Sequence, residues 1–221
     1  MAVPVNEIFT TIQGEATYTG TPATFVRLQG CDVGCGWCDT KHTWEVLASD
    51  RVRADEMLNK TCDSAGWSLM SENDLLNEVK GREPKHIVIT GGEPCEYDLV
   101  DLTTALIDAG YTVQIETSGT KTIKAHDKTF ITLSPKWDMD GGLEVIDKNY
   151  NIANEVKVPV GKQADVDKLF TKIPQSYTTS GKTIWLQPLS QSKKATQLCI
   201  DTATKFNFRI SIQTHKFIGI R

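Results

Sequence analysis

A chain of 221 residues, 39% hydrophobic and 24% charged, is long enough for one sizeable core and short for two independent domains. Its net charge of −4 comes without a basic block, which argues against nucleic-acid binding as the main activity, since neutralising phosphates takes clustered Lys and Arg. No apolar run reaches the roughly 20 residues that span a bilayer, and Met1-Ala-Val-Pro-Val-Asn-Glu7 has neither the basic start nor the apolar core of a secretory signal, so a cytoplasmic protein without membrane association is expected.

In chain order, apolar β-branched runs alternate with helix-periodic segments, the pattern of βα units around a parallel sheet. The first strand, Thr24 to Leu28, runs through Gln29-Gly30 into Cys31, Cys35 and Cys38, spaced C-x3-C-x2-C. The charged stretch from about 43 to 66, with a short helix-like run from Arg53 to Lys60, breaks the rhythm and reads as an insertion over the sheet, within a single domain covering 1–221. Ser71 then stands as an N-cap, with Asp74 as the capping-box acid. A strand follows at His86 to Thr90, and a helix from Asp98 to Ala109 repeats Leu99, Leu102 and Leu106 before stopping at Gly110. Strands are expected at Thr112 to Glu116, Phe130 to Ser134, Glu155 to Val158, Thr183 to Gln187 and Arg209 to Ile212. A helix from Lys193 to Lys205 precedes the last of them, its Lys193 and Lys194 forming a solvated first turn.

The cysteine loop carries the first chemical signal. A cubane iron-sulfur cluster has four iron corners, so three clustered Cys without a fourth leave one iron open, the arrangement that binds S-adenosylmethionine (SAM) and cleaves it reductively. A disulfide is disfavoured by the lack of a secretory signal. A structural zinc site needs a fourth ligand, which His42 could supply, and spacing leaves that option open. Of the remaining cysteines, Cys62 and Cys199 read as small packing hydrophobes, whereas Cys95 follows Gly91-Gly92-Glu93-Pro94 and is left without a role.

Active sites of parallel α/β folds are built where loops leave the C-terminal strand ends. Those ends carry Gln29-Gly30, Thr90 to Pro94, Glu116 to Gly119, Ser134-Pro135-Lys136, Gln187-Pro188 and Gln213 to Lys216. Any one of them could be ordinary turn chemistry. Six opening on one side predict a cup shared with the cysteine loop. Gly91 and Gly92, without Cβ atoms, would let the backbone approach a small polar head such as the amino group of an amino acid.

The three-cysteine loop and Gly91-Gly92-Glu93-Pro94 together resemble the radical SAM superfamily. A longer series of blocks, Asn6 to Glu15, Phe25 to Cys31, Trp37 to Trp44, Val88 to Cys95, Gln114 to Gly119, Leu133 to Lys136, Leu186 to Pro188 and Ile212 to Lys216, resembles the 7-carboxy-7-deazaguanine synthase family of queuosine biosynthesis. The resemblance implies an α/β fold, a partial parallel βα barrel of the radical SAM type with an insertion after the cluster loop. It implies conversion of 6-carboxy-5,6,7,8-tetrahydropterin to 7-carboxy-7-deazaguanine with loss of ammonia. One [4Fe-4S] cluster would sit on Cys31, Cys35 and Cys38, and Mg2+ on Thr40. SAM contacts map to Trp37, Cys38, Asp39, Gly92, Ser134, Pro135 and Lys136, with Glu93 and Glu116 added as carboxylates that could take an amine or a ribose. Substrate contacts map to Ile12, Gln13, Gly14, Arg27 and Thr90, with Glu15, Gln187 and His215 as further candidates. A homodimer and an external, flavodoxin-like electron donor are also implied.

Arg27 suits a pterin carboxylate because its guanidinium offers two parallel donors. Thr40 is a weak ligand, yet Mg2+ takes few protein ligands and fills its shell with water or substrate oxygens. Two rivals use the same motif: an activase that makes a glycyl radical on a protein partner, and a zinc-stabilised binding module without catalysis. The first predicts a large docking surface and no pterin pocket.

Overall fold

The computed structural model describes residues 2–220. Its strands are β1 (Ala2–Ile12), β2 (Pro22–Leu28), β3 (Ser68–Ser71), β4 (His86–Gly91), β5 (Thr112–Thr117), β6 (Phe130–Leu133), β7 (Glu155–Val160), β8 (Thr183–Pro188) and β9 (Arg209–Ile210). The helices are α1 (Ala54–Leu58), α2 (Glu72–Lys80), α3 (Val100–Asp108), α4 (Asp147–Ile152), α5 (Gln163–Lys172), α6 (Gln175–Thr178), α7 (Lys193–Phe206) and α8 (Thr214–Ile218). Among the described residues one sheet runs in the order β3-β1-β2-β4-β5-β6-β7-β8-β9. β1 is antiparallel to both β2 and β3. From β2 onward every neighbouring pair is parallel.

The two faces of the parallel strands differ in chemistry. Ile87, Ile89, Ile115, Leu133, Val156 and Leu186 point to the helix side and pack with Leu75, Leu102, Leu106, Val166 and Cys199 in one core. The alternate residues form a buried polar chain. His86 Nε2 lies 2.9 Å from Gln114 Oε1, and Gln114 Nε2 donates to Thr132 Oγ1 at 2.9 Å. Thr132 donates in turn to Glu155 Oε1 at 2.7 Å, while Trp185 Nε1 reaches Glu155 Oε2 at 2.7 Å. Strands of a parallel sheet covered on both faces normally read as continuous apolar runs. Here they alternate, because the inner face leads into a polar cavity.

Each strand expected from the sequence is present, with ends moved by no more than two residues. β1 and β3 had no counterpart in the sequence reading. In β1 the register shifts between Val5 and Glu7, so the bulge breaks the alternation that would mark a strand. The bulged Asn6 bonds Gln29 Oε1 at 2.7 Å and the Ser64 carbonyl at 2.9 Å. Ser71 and Asp74 form the expected capping box of α2. Cys199 is buried, but Cys62 is exposed, which corrects its reading as a packing thiol. Its neighbours Lys60, Thr61, Asp63 and Ser64 give it no apolar surface to join. No described helix is long and apolar enough to cross a membrane.

Thr132 is both donor and acceptor in the inner chain, so Thr132→Val keeps the side-chain shape while leaving Gln114 and Glu155 each short of a partner. The expected loss is about 2 kcal/mol of unfolding free energy in a urea titration. An unchanged or raised midpoint would show that the polar chain adds nothing to stability.

Candidate active site

The polar strand ends and the cysteine loop surround one cavity. Ile12, Gln13, Gly14 and Glu15 enter from the end of β1, Arg27 from β2, and Cys31, Cys35, Trp37, Cys38, Asp39 and Thr40 from the loop after it. Thr90 lies near the end of β4 and Gly92 and Glu93 follow it, Glu116 lies at the end of β5, Ser134 and Lys136 follow β6, Gln187 lies at the end of β8, and His215 comes from α8. Among the SAM, substrate, cluster and Mg2+ residues mapped by the resemblance, Pro135 is the one outside this lining; it faces an adjoining hollow with Trp137 and Gly34.

Backbone bonds fix the cysteine loop. Gly30 N–H donates to the Thr43 carbonyl at 2.7 Å and Cys31 N–H to that of Trp44 at 2.9 Å. The buried Gln29 amide donates to the carbonyls of His42 and Glu45 at 3.0 and 2.8 Å, stitching the far side of the loop to the sheet. Burial pushes the Cys31 thiol up to about 12 and raises Cys35 as well, so neither is a thiolate without a cationic partner. A tetrahedral zinc site needs its donors gathered about 2.0–2.3 Å from one point. His42, the fourth ligand such a site would need, does not line the cavity with the three cysteines, so the zinc reading lacks its fourth donor.

The Gly-Gly turn is spent on the cysteine loop. A Cβ on Gly92 would lie 2.1 Å from the Gly30 carbonyl oxygen, a backbone atom that cannot give way. Gly92 N–H donates to Leu28 O at 3.0 Å and Glu93 N–H to Gly30 O at 2.8 Å, so these two amides serve the protein. The Glu93 carboxylate, 1% exposed, accepts from Cys95 N at 2.9 Å, Thr117 Oγ1 at 2.6 Å, Ser118 N at 2.7 Å and the Ser118 hydroxyl. It ties the turn after β4 to the end of β5.

No protein-family model matches the chain. It is 47% identical over 222 residues to the 7-carboxy-7-deazaguanine synthase of Escherichia coli (strain K12), with 100% of both chains covered. The enzyme of the same name from Buchnera aphidicola subsp. Schizaphis graminum is 43% identical, again over 100% of both chains. The crystal structure of QueE from Escherichia coli superposes with a TM-score of 0.90 at 46% identity, covering 96% of this chain and 94% of that one. The chain belongs to the 7-carboxy-7-deazaguanine synthase family. It is therefore a radical SAM enzyme of 7-deazaguanine biosynthesis, and the glycyl-radical activase reading is not favoured.

Within this family's cavity Lys157 went unnoticed in the sequence, while Gln213 was named there only as part of a strand-end loop. Lys157, in the middle of β7, places its ammonium against Glu15 and 2.7 Å from Glu116 Oε2. Gln213 donates to Glu15 Oε1 at 2.8 Å. A signal for Lys157 was available: in Glu155-Val-Lys-Val-Pro-Val160 the charged residues alternate with valines inside a buried strand. His215 packs on Gly14, where a Cβ would lie 2.2 Å from its Nδ1, and Thr214 N–H donates to the Gly14 carbonyl at 3.0 Å.

Gly92→Ala is expected to lower turnover about 100-fold, the cost of misplacing reacting groups by about an ångström. Iron and sulfide content per chain after anaerobic reconstitution should fall with it; full content and activity would show that the loop tolerates the shift. A second test uses pH. Burial raises the Glu15 carboxyl, but Lys157 outweighs it and holds the group at about 2, below the ordinary 4.5. A depressed carboxyl contributes stability that is present above the unfolded value and is lost as pH falls through the folded one. The destabilisation caused by Glu15→Gln should thus be full above pH 4.5 and fade toward pH 2. Denaturant unfolding of both proteins across that range reads it, and a pH-independent difference would contradict it.

Proposed function

We propose that this chain converts 6-carboxy-5,6,7,8-tetrahydropterin to 7-carboxy-7-deazaguanine with loss of ammonia. The observation that carries the proposal is the single cavity joining the cysteine loop to Arg27 and to polar ends of six strands, in a chain matching its relatives end to end. In this reading Cys31, Cys35 and Cys38 hold one [4Fe-4S] cluster. The donor set fits: the Cys31 and Cys35 thiols, which burial keeps protonated, lose their protons on binding iron, and backbone bonds hold the loop while Cys38 Sγ accepts from Thr40 N–H at 3.4 Å. When bound, cluster and SAM supply the one-electron chemistry that activates a C–H bond.

The remaining roles fall to side chains. Lys136 Nζ bonds the Ser134 carbonyl at 2.8 Å and hydroxyl at 2.6 Å, sits 5.4 Å from the Trp37 ring centroid, and has no carboxylate partner among the described residues. A ligand carboxylate would complete it, which suits the amino-acid end of SAM beside Trp37, Asp39 and Gly92, with Pro135 shaping the turn. Arg27 spends Nε on Glu7 at 2.6 Å, leaving the Nη edge for the pterin carboxylate, with Thr90 and the Ile12-Gln13-Gly14 backbone around the ring. Thr40, whose Oγ1 is 3.6 Å from Cys38 Sγ, would give Mg2+ one hydroxyl, water and substrate oxygens supplying the rest.

The same reading includes a single domain whose sheet curls into a partial barrel, with 43–66 as an inserted segment. Bonds across the inner face support the curl: Gln13 to Gln114 at 3.2 Å, Thr17 to Glu155 at 2.5 Å, and Gln213 to Glu15. It also includes a homodimer and a flavodoxin-like electron donor.

The decisive assay is anaerobic incubation of the reconstituted protein with SAM, Mg2+, dithionite and the carboxytetrahydropterin. The deazaguanine product is expected, and Arg27→Ala should lower kcat/KM about 100-fold, as for loss of one partner in a buried charge pair. Absence of product from the wild-type protein would end the proposal.

A further inference from the structure

Lys157 is 5% exposed and lines the cavity from β7. Its ammonium stands between two carboxylates, Glu15 and Glu116, which gives this wall a net charge of −1. Of the carboxylate oxygens turned from Lys157, Glu15 Oε1 accepts from Gln213 at 2.8 Å, while Glu116 Oε1 accepts from Gln114 and Gln13 at 3.2 and 3.4 Å. An ionised carboxylate pair has about eight lone-pair sites in all, so acceptor capacity remains on the cavity side. Arg27 lies on β2, with β4, β5 and β6 between it and β7 in the sheet. The cavity therefore offers a cation for a carboxylate on one strand and an acid wall for N–H donors on another.

Two buried carboxylates side by side, without a cation, would share a proton, and a protonated carboxyl presents a donor where an acceptor is needed. Burial, with Glu15 adding to it, leaves Glu116 above the ordinary carboxylate value, and Lys157 limits that rise. We propose that Lys157 is a positioning residue for ring selection: it holds Glu15 and Glu116 as paired acceptors for the N–H edge of the 2-amino-4-oxopyrimidine ring that substrate and product share. This rests on the function proposed above, and it moves Glu116 from the SAM set to the ring wall.

The test compares two ligands on the reconstituted protein with SAM and without reductant: 7-carboxy-7-deazaguanine and 7-carboxy-7-deazahypoxanthine, which lacks only the exocyclic amine. By calorimetry the wild type should prefer the amino-bearing ligand by about 100-fold or more, since a site built on hydrogen bonds rejects an analogue that leaves them unmade. Lys157→Met should cut that preference about tenfold or more, and Lys157→Arg should restore part of it, with iron content and SAM binding unchanged in both. Equal weakening of both ligands in Lys157→Met, or no preference in the wild type, would overturn the proposal. If the Met variant does not fold, Glu116→Gln carries the same comparison: loss of preference supports the acid wall, and full retention removes it. A wild-type protein that binds SAM but neither ligand would instead overturn the functional reading itself.

Discussion

The Lys157 ammonium, set between Glu15 and Glu116, is the interaction on which the rest of the molecule depends. A buried ammonium and two largely covered carboxylates are tolerated only when they satisfy one another, and removing one member of a buried pair typically costs about 3–5 kcal/mol. The chain must therefore bring three distant segments together: the exit of β1, the end of β5 and the middle of β7. Gln213 adds a fourth, so the last part of the chain is bonded to the first. Hydrophobic packing on the helix side holds the strands. The buried charges decide how the chain crosses the inner face.

Cavity and cysteine loop are coupled by the same economy of polar groups. Gln29 and Asn6 form a buried amide pair whose remaining hydrogens reach carbonyls at 42, 45, 64 and 66, so the loop and the segment after it are held by side chains that solvent does not contest. On the opposite side, Gly92 presses on Gly30, and Glu93 gathers four donors from the ends of two strands. The Glu of this turn thus acts first as a strut. Its carboxylate reaches Thr117 and Ser118, one and two residues beyond Glu116, and so fixes the approach to the acid wall.

What the sequence disclosed follows from periodicity. Ile87-x-Ile89, Ile131-x-Leu133 and Val156-x-Val158 mark strands whose helix-facing side is apolar, and loops at their C-terminal ends could be named without coordinates. β1 was hidden because the bulge at Asn6 interrupts the alternation, and β3 because its four residues carry no pattern that a loop would lack. Lys157 was hidden for another reason. A lysine in a strand is ordinarily solvated, and only the crossing of Glu15 over the inner face makes it a buried cation, a contact between residues 142 positions apart. Cys62 shows the converse error: thiol chemistry favours burial, but a polar loop gives it nothing to pack against.

The cations of the cavity differ in how many carboxylates already surround them, and that difference orders the ligands in the proposed reading. Lys136 has none among the described residues, Arg27 is bonded through Nε to Glu7, and Lys157 has two. A half-buried cation without a counter-charge is completed by an anion from its ligand, so Lys136 is suited to a carboxylate. Arg27, half-neutralised with its Nη edge free, can still take a planar anion in bidentate fashion. Lys157 is over-compensated and cannot favour an anion at all; its surroundings attract donors. A ligand with a carboxylate at one end and N–H groups at the other would therefore bind in one direction only, its carboxylate toward the cysteine loop and its ring toward β5 and β7. The charge pattern alone fixes that orientation, before any shape complementarity between cavity and ring is considered.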